Sequence, residues 1–308
     1  MALALVFPGQ GSQSVGMLAE LAAEFDTVKA TFTEASEALG YDLWEVAQQG
    51  PAERLNQTEV TQPAVLTGGV AVWRVYRELG GTMPAFMAGH SLGEYSALVC
   101  SGSMAFTDAV KLVAARGRFM QAAVPSGTGA MAAIIGLADE QVAEACGQAS
   151  EQGLVSPANY NAPGQVVIAG ESAAVAAAGE AAKALGARKV MPLAVSVPSH
   201  CALMQPAAEQ LAPLLQTTAL TAPEVPVLHN VDAAARNDAN AIRQALTEQL
   251  YQPVRWTQTV THLLASDVDQ LAECGPGKVL AGLIKRIHRK ASVACWQDAT
   301  ALRDSVSA

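Results

Sequence analysis

Two hydrophobic rhythms run through the chain. Short apolar runs bounded by glycine or proline, Leu3-Ala4-Leu5-Val6-Phe7 before Pro8-Gly9 and Ala85-Phe86-Met87-Ala88 before Gly89, predict buried strands. Apolar positions recurring every three to four residues predict helices over 17–39, with a break, and from the Gln62-Pro63 step to residue 79. Strands that alternate with helices predict a mainly parallel sheet covered on both faces. Between residues 129 and 195 the rhythm changes. Strands at 130–135, 154–158, 165–169 and 188–193 alternate with helices at 139–149 and 172–185 in the order βαββαβ, the ferredoxin-like split motif. The first rhythm then resumes, with a strand at 225–228, a helix at 240–250 and a strand at 268–271. The expected fold class is therefore α/β: a large α/β-hydrolase-like domain, residues 1–126 and 199–308, carrying an inserted ferredoxin-like subdomain, residues 127–198.

Composition narrows the function classes. A chain of 308 residues with 51% hydrophobic and 15% charged residues can bury a sizeable core. Its formal net charge of -9 argues against nucleic acid and against an anionic membrane surface as partners. Five scattered cysteines without CxxC spacing suggest neither a disulfide framework nor a metal site, and a reducing compartment. The N-terminal apolar run has no basic residue before it and is too short for a signal peptide or a membrane span, so a cytoplasmic protein is expected.

Candidate chemistry centres on Gly89-His90-Ser91-Leu92-Gly93, a G-x-S-x-G placed between a predicted strand and a helix-forming run over 94–99. A tight turn there lifts a serine oxygen clear of the sheet, and the following helix start offers backbone N–H groups to an oxyanion. No G-x-x-x-x-G-K-[ST] is present, so a phosphate-cradling loop is not the reading. A serine needs a base, usually histidine, and there are five. His90 adjoins Ser91 but is expected to project away from it; His262 and His288 fall in amphipathic helical stretches, and His229 at a strand end. His200 stands apart, at a loop tip after Pro198 where the two domains should meet, although a hydrogen-bonded helix-start histidine would look the same.

Arg116 lies on a helix predicted over 107–123, with Thr107 as cap and Asp108 in the first turn. Ala109, Leu112, Val113, Phe119, Met120 and Ala123 fall within about 60° of it on the helical wheel, which puts a guanidinium amid an apolar face. Such a charge needs an anion, either an internal acid or a ligand.

Taken together, these residues resemble the malonyl-CoA:acyl carrier protein transacylases of bacterial type II fatty acid synthesis. The resemblance runs over nearly the whole chain. It is carried by Phe7-Pro8-Gly9-Gln10-Gly11-Ser12-Gln13, the Ser91 pentapeptide with Glu94, Arg116-Gly117, Asn161-Ala162-Pro163-Gly164-Gln165, Val197-Pro198-Ser199-His200 and Glu273-Cys274-Gly275-Pro276-Gly277. It implies that Ser91 is acylated, that His200 is its base, and that His200 is oriented by the backbone carbonyl of Gln249. It also implies an oxyanion hole from the backbone N–H groups of Gln10 and Leu92, and binding of the malonyl carboxylate by Arg116. The implied substrates are a coenzyme A thioester and the phosphopantetheine thiol of acyl carrier protein, with no cofactor and no metal. A thioesterase or esterase would share Ser91 and His200 and differ in its acceptor, and a non-catalytic acyl binder would keep only the fold. Because the carrier in this family is acidic, a local basic patch is expected, either Lys278, Lys285, Arg286, Arg289 and Lys290 or Lys183, Arg188 and Lys189.

Overall fold

A computed structural model of the chain describes residues 2–125, 127–193 and 197–307. Residue 126 at the proposed boundary, and residues 194–196 within the last part of the inserted segment, lie outside the described residues.

Five strands form a parallel sheet: β1 (Leu3–Phe7), β2 (Phe86–Gly89), and, later in the chain, Val227–Leu228, Gln270–Cys274 and Val293–Trp296. Four strands of the inserted segment lie between them in sequence: β3 (Gly129–Ile135), β4 (Val155–Ala162), β5 (Gln165–Glu171) and β6 (Lys189–Pro192), so the remaining members of the parallel sheet are β7, β8 and β9 in turn. The order in the parallel sheet is β7-β2-β1-β8-β9. Its central strand β1 is buried from Ala4 to Phe7 because helices cover both faces, which is why it reads as continuous apolar sequence rather than as an alternation.

The register of β1 against β2 positions the chemistry. Val6 pairs with Ala88 and Phe7 with Gly89, so both strands end at one edge and their loops, carrying Gln10 and Ser91, leave side by side. His90 N donates to Phe7 O at 3.0 Å across that edge. The turn is too close for side chains: a Cβ on Gly89 would meet the Gly93 backbone at 1.9 Å, and one on Gly93 would meet Phe7 O at 2.0 Å.

The inserted segment folds as expected. Its four strands run β4-β5-β3-β6 with antiparallel pairing throughout, and the helices Asp139–Gln148 and Ser172–Ala184 pack against the sheet. The strand expected at 154–158 continues to Ala162, because Asn159 and Tyr160 pair with β5 and also with the chain at Val254. Polar residues at 159–161 disguised it as a loop.

Four expectations are corrected. The helix expected after Gln62-Pro63 spans Thr58–Glu78, with Pro63 inside it. An interior proline costs about 3 kcal/mol, and burial of Val60, Val65, Leu66, Val72 and Tyr76 offsets it. Thr107 does not cap the Arg116 helix, which spans Phe106–Ala123 with Ala105 at the N-cap and no side-chain cap bond; burial of Phe106 under the Arg74 guanidinium sets its start instead. The strand expected at 268–271 is shifted to β8, because Glu273 is buried within it and accepts Leu280 N and Ala281 N at 3.0 and 2.8 Å from the next helix. His288 closes that helix, Val279–Ile287, rather than lying in it.

Candidate active site

Ser91 sits on the turn between β2 and the helix Gly93–Cys100, with φ of 52°. A serine held there is strained by about 1–3 kcal/mol, and the turn is fastened to offset it. Asn230 Oδ1 accepts Ser91 N at 2.6 Å, and Gln249 Nε2 donates to Ser91 O at 3.0 Å.

His200 meets the serine. Its Nε2 lies 2.8 Å from Ser91 Oγ, and its Nδ1 lies 2.7 Å from Gln249 O. A carbonyl only accepts, so Nδ1 carries the proton and Nε2 is left with its lone pair towards the hydroxyl. Burial, and then the nearby Arg116 charge, push the His200 pKa down to about 3, so the ring stays a base under neutral and mildly acidic conditions. Residues 198–200 hold the ring at the loop tip, where His200 N donates to Leu250 O at 3.0 Å and His200 itself has φ of 63°.

His90 points away from Ser91, as expected. Its Nε2 lies 2.8 Å from Asn161 Oδ1 and its ring packs edge-on to Trp256, although it still lines the cavity. His229 is fully buried beside Glu94, and His262 lies on the helix Trp256–Ala265.

Arg116 is buried beneath the same cavity, with 1% of its surface exposed. It donates to Gln62 Oε1 at 2.8 Å, to Gln249 Oε1 at 3.0 Å and, at 3.4 Å, to Ser91 Oγ. Among the described residues no carboxylate lies within ion-pair distance of it, and its Nε has no hydrogen-bond partner. The guanidinium is thus held by neutral oxygens and by the face of Tyr95, 5.5 Å from its ring centre. Of the two openings left by the sequence, an internal acid in contact is not what the structure contains.

Gln10 and Leu92 line the cavity above Ser91, and among the described residues neither backbone N–H donates to another protein group. The inserted subdomain supplies the opposite wall through Met131, Asn161 and Val167. The structure therefore gathers Ser91, His200, Arg116, Gln10, Leu92 and Gln249 into one place. Sequence reasoning missed Gln62, Asn230 and the side chain of Gln249. Gln62 carried a signal, a lone amide amid the apolar run Val60 to Leu66, but the adjoining proline made it look like a helix boundary.

The acyl transferase domain family matches residues 4–300. The Salmonella typhimurium protein named malonyl CoA-acyl carrier protein transacylase is 62% identical over 284 residues, 92% of each chain. The Escherichia coli protein of that name is 61% identical over the same length and shares. Among solved structures, the malonyl CoA-acyl carrier protein transacylase from Coxiella burnetii aligns with a TM-score of 0.99 at 50% identity, covering 100% of this chain and 97% of that one. A type II PKS acyl-carrier protein in complex with its malonyl-transacylase aligns with a TM-score of 0.98 at 56% identity, covering 100% and 99%.

Proposed function

The chain belongs to the malonyl-CoA:acyl carrier protein transacylases of the acyl transferase domain family, and from that premise we propose that it moves malonyl from coenzyme A to acyl carrier protein through a malonyl-serine at Ser91. The product supplies fatty acid chain elongation.

The observation that carries the mechanism is the relay from Ser91 Oγ to His200 Nε2 to Gln249 O, with bonds of 2.8 and 2.7 Å, laid beside a buried arginine that no acid contacts among the described residues. In the first half-reaction Ser91 Oγ attacks the thioester carbonyl while its proton passes to His200 Nε2. The oxygen that becomes negative is placed against the Gln10 and Leu92 N–H groups. Collapse breaks the carbon–sulfur bond, and the coenzyme A sulfur leaves with the proton from His200. In the second half-reaction the phosphopantetheine thiol yields its proton to His200, attacks the malonyl ester, and Ser91 recovers the proton as it leaves. Arg116 takes the malonyl carboxylate, whose planar pair of oxygens suits a guanidinium fork.

Charge is handled throughout by protein groups, so the reading uses no resident cofactor or metal. Among the described residues no helix is long and apolar enough to cross a membrane; with the free cysteines, this supports placing the enzyme in the cytoplasm. The division into residues 1–126 with 199–308 and an inserted 127–198 belongs to the same reading, supported by the separate four-stranded sheet.

Intact-mass detection after mixing with malonyl-CoA is expected to show one malonyl adduct that is absent from Ser91→Ala and discharged by phosphopantetheinylated carrier. Rapid loss of the adduct to free malonate without carrier would make the protein a hydrolase instead.

A further inference from the structure

Burying a guanidinium out of contact with any acid raises the question of what balances its charge. Glu94 is the fully buried anion on the same hydrogen-bonded network, one amide away. The Gln249 side chain spans the two. Its Nε2 donates to Glu94 Oε2 at 2.9 Å, and its Oε1 accepts from Arg116 at 3.0 Å. The amide cannot be turned round, because Ser91 O, which also faces Nε2, only accepts and the guanidinium only donates.

His229 does not cancel the Glu94 charge. Its Nδ1 lies 2.6 Å from Glu94 Oε1, while its Nε2 is buried with no hydrogen-bond partner among the described residues. A second N–H at Nε2 would have no acceptor there, so the geometry provides for one N–H from this ring, the one facing Glu94. The remaining bond to Glu94 Oε2 comes from the Asn230 backbone N–H at 2.9 Å, which is also neutral.

We infer that Glu94 is the counter-charge of Arg116, acting through the Gln249 amide, and that it thereby sets how tightly the pocket holds an acyl group bearing a carboxylate. This rests on the proposed function only in taking malonyl as the ligand of Arg116. A contacting acid would occupy the fork, whereas an acid one amide away balances the charge and leaves donors for the ligand. A bound carboxylate then becomes a second negative charge near Glu94, so Glu94 opposes its binding. Such restraint suits a group that must be passed on, since tighter holding of substrate and transition state alike does not raise turnover.

The test measures how acyl-enzyme formation depends on malonyl-CoA and acetyl-CoA concentration in the wild type, Glu94→Gln, Arg116→Met and the double variant. Glutamine keeps the shape of Glu94 and removes its charge; its carbonyl oxygen takes the Asn230 and Gln249 N–H donors, and its NH2 meets His229 Nδ1 once that ring shifts its proton to Nε2. Half-saturation by malonyl-CoA is expected to fall roughly tenfold in Glu94→Gln, the size of one charge acting over about 10 Å at an effective dielectric of about 20. Acetyl-CoA should show no such change, and in the Arg116→Met background Glu94→Gln should still ease malonyl use, because Glu94 repels the carboxylate whether or not the guanidinium is present. A rise or no change in the malonyl requirement, or an equal shift for both thioesters, overturns the inference. Thermal stability gives a second reading. Each single substitution should lower Tm and the double variant should recover part of the loss; additive losses, or a double variant as unfolded as Glu94→Gln, count against it. Failure of the malonyl reading itself would appear separately, as a wild type with no adduct on Ser91.

Discussion

Asn230 holds the nucleophile turn from 139 residues away: its Oδ1 accepts Ser91 N at 2.6 Å and its Nδ2 donates to Gly89 O at 2.7 Å. The left-handed φ of Ser91 therefore depends on a side chain outside the pentapeptide.

Replacing Asn230 by Ala leaves a buried N–H and a buried carbonyl without partners, at about 1–3 kcal/mol each. The turn should relax, lowering thermal stability by roughly 2–4 kcal/mol and slowing Ser91 acylation by about tenfold or more. Thermal melts alongside rapid-quench mass spectrometry check both, and full-rate acylation by a destabilised variant would show that Asn230 serves folding alone.

Arg116→Ala should reverse the acyl preference. Removing the partner of a desolvated carboxylate is expected to cost malonyl transfer roughly 2–5 kcal/mol, about 30-fold to several thousand-fold in kcat/KM. Acetyl-CoA leaves the wild-type arginine without its ligand, so its transfer should hold or improve. Comparing the two thioesters on a folded variant decides the matter; a parallel fall in both rates is the result that contradicts the assignment.

The His200 base should tolerate acid. With its pKa pushed down to about 3, the acid limb of kcat/KM for malonyl transfer is expected well below the ordinary histidine value of about 6.5. The same shift acts on stability. Below pH 6.5 the unfolded chain takes up a proton that the folded chain refuses, so this contribution is intact above 6.5 and is lost as pH falls towards about 3. A pH–rate profile on rapidly diluted enzyme separates activity from unfolding, and a limb near 6.5 would refute the assignment.

Carrier docking is expected to need the exposed cations Arg286 and Lys189. Both are exposed, and Arg286 donates to Gln165 Oε1, so the C-terminal basic cluster touches the inserted subdomain. Reversing both to Glu should weaken transfer to an acidic carrier while acylation by malonyl-CoA keeps its rate. Measuring the half-reactions separately is decisive, since equal losses would place the residues in folding rather than docking.

What the sequence disclosed followed from how local each signal is. The Ser91 turn, the buried strand at Leu3–Phe7 and the stripe around Arg116 are written in neighbouring residues, and they could be read directly. Asn230 and the Gln249 side chain work through contacts spanning more than a hundred positions, for which no periodicity exists. Glu273 and Pro63 misled for one shared reason. Each breaks a local preference that burial overrides, so β8 and the helix Thr58–Glu78 both run past the point where a polar residue or a proline suggested a limit.

The seam between the sheets has a consequence for access. Tyr160 N donates to Val254 O at 2.9 Å and Val254 N to Ala158 O at 2.8 Å, so the edge strand of the inserted subdomain is stitched by main-chain bonds to the larger body. Thr257 Oγ1 adds a bond to Tyr160 O at 3.0 Å, and His90 Nε2 lies 2.8 Å from Asn161 Oδ1. A clamshell that swings wide would have to tear this hem. The pantetheine arm is therefore expected to reach Ser91 along the existing cavity, without a wide swing of the inserted subdomain.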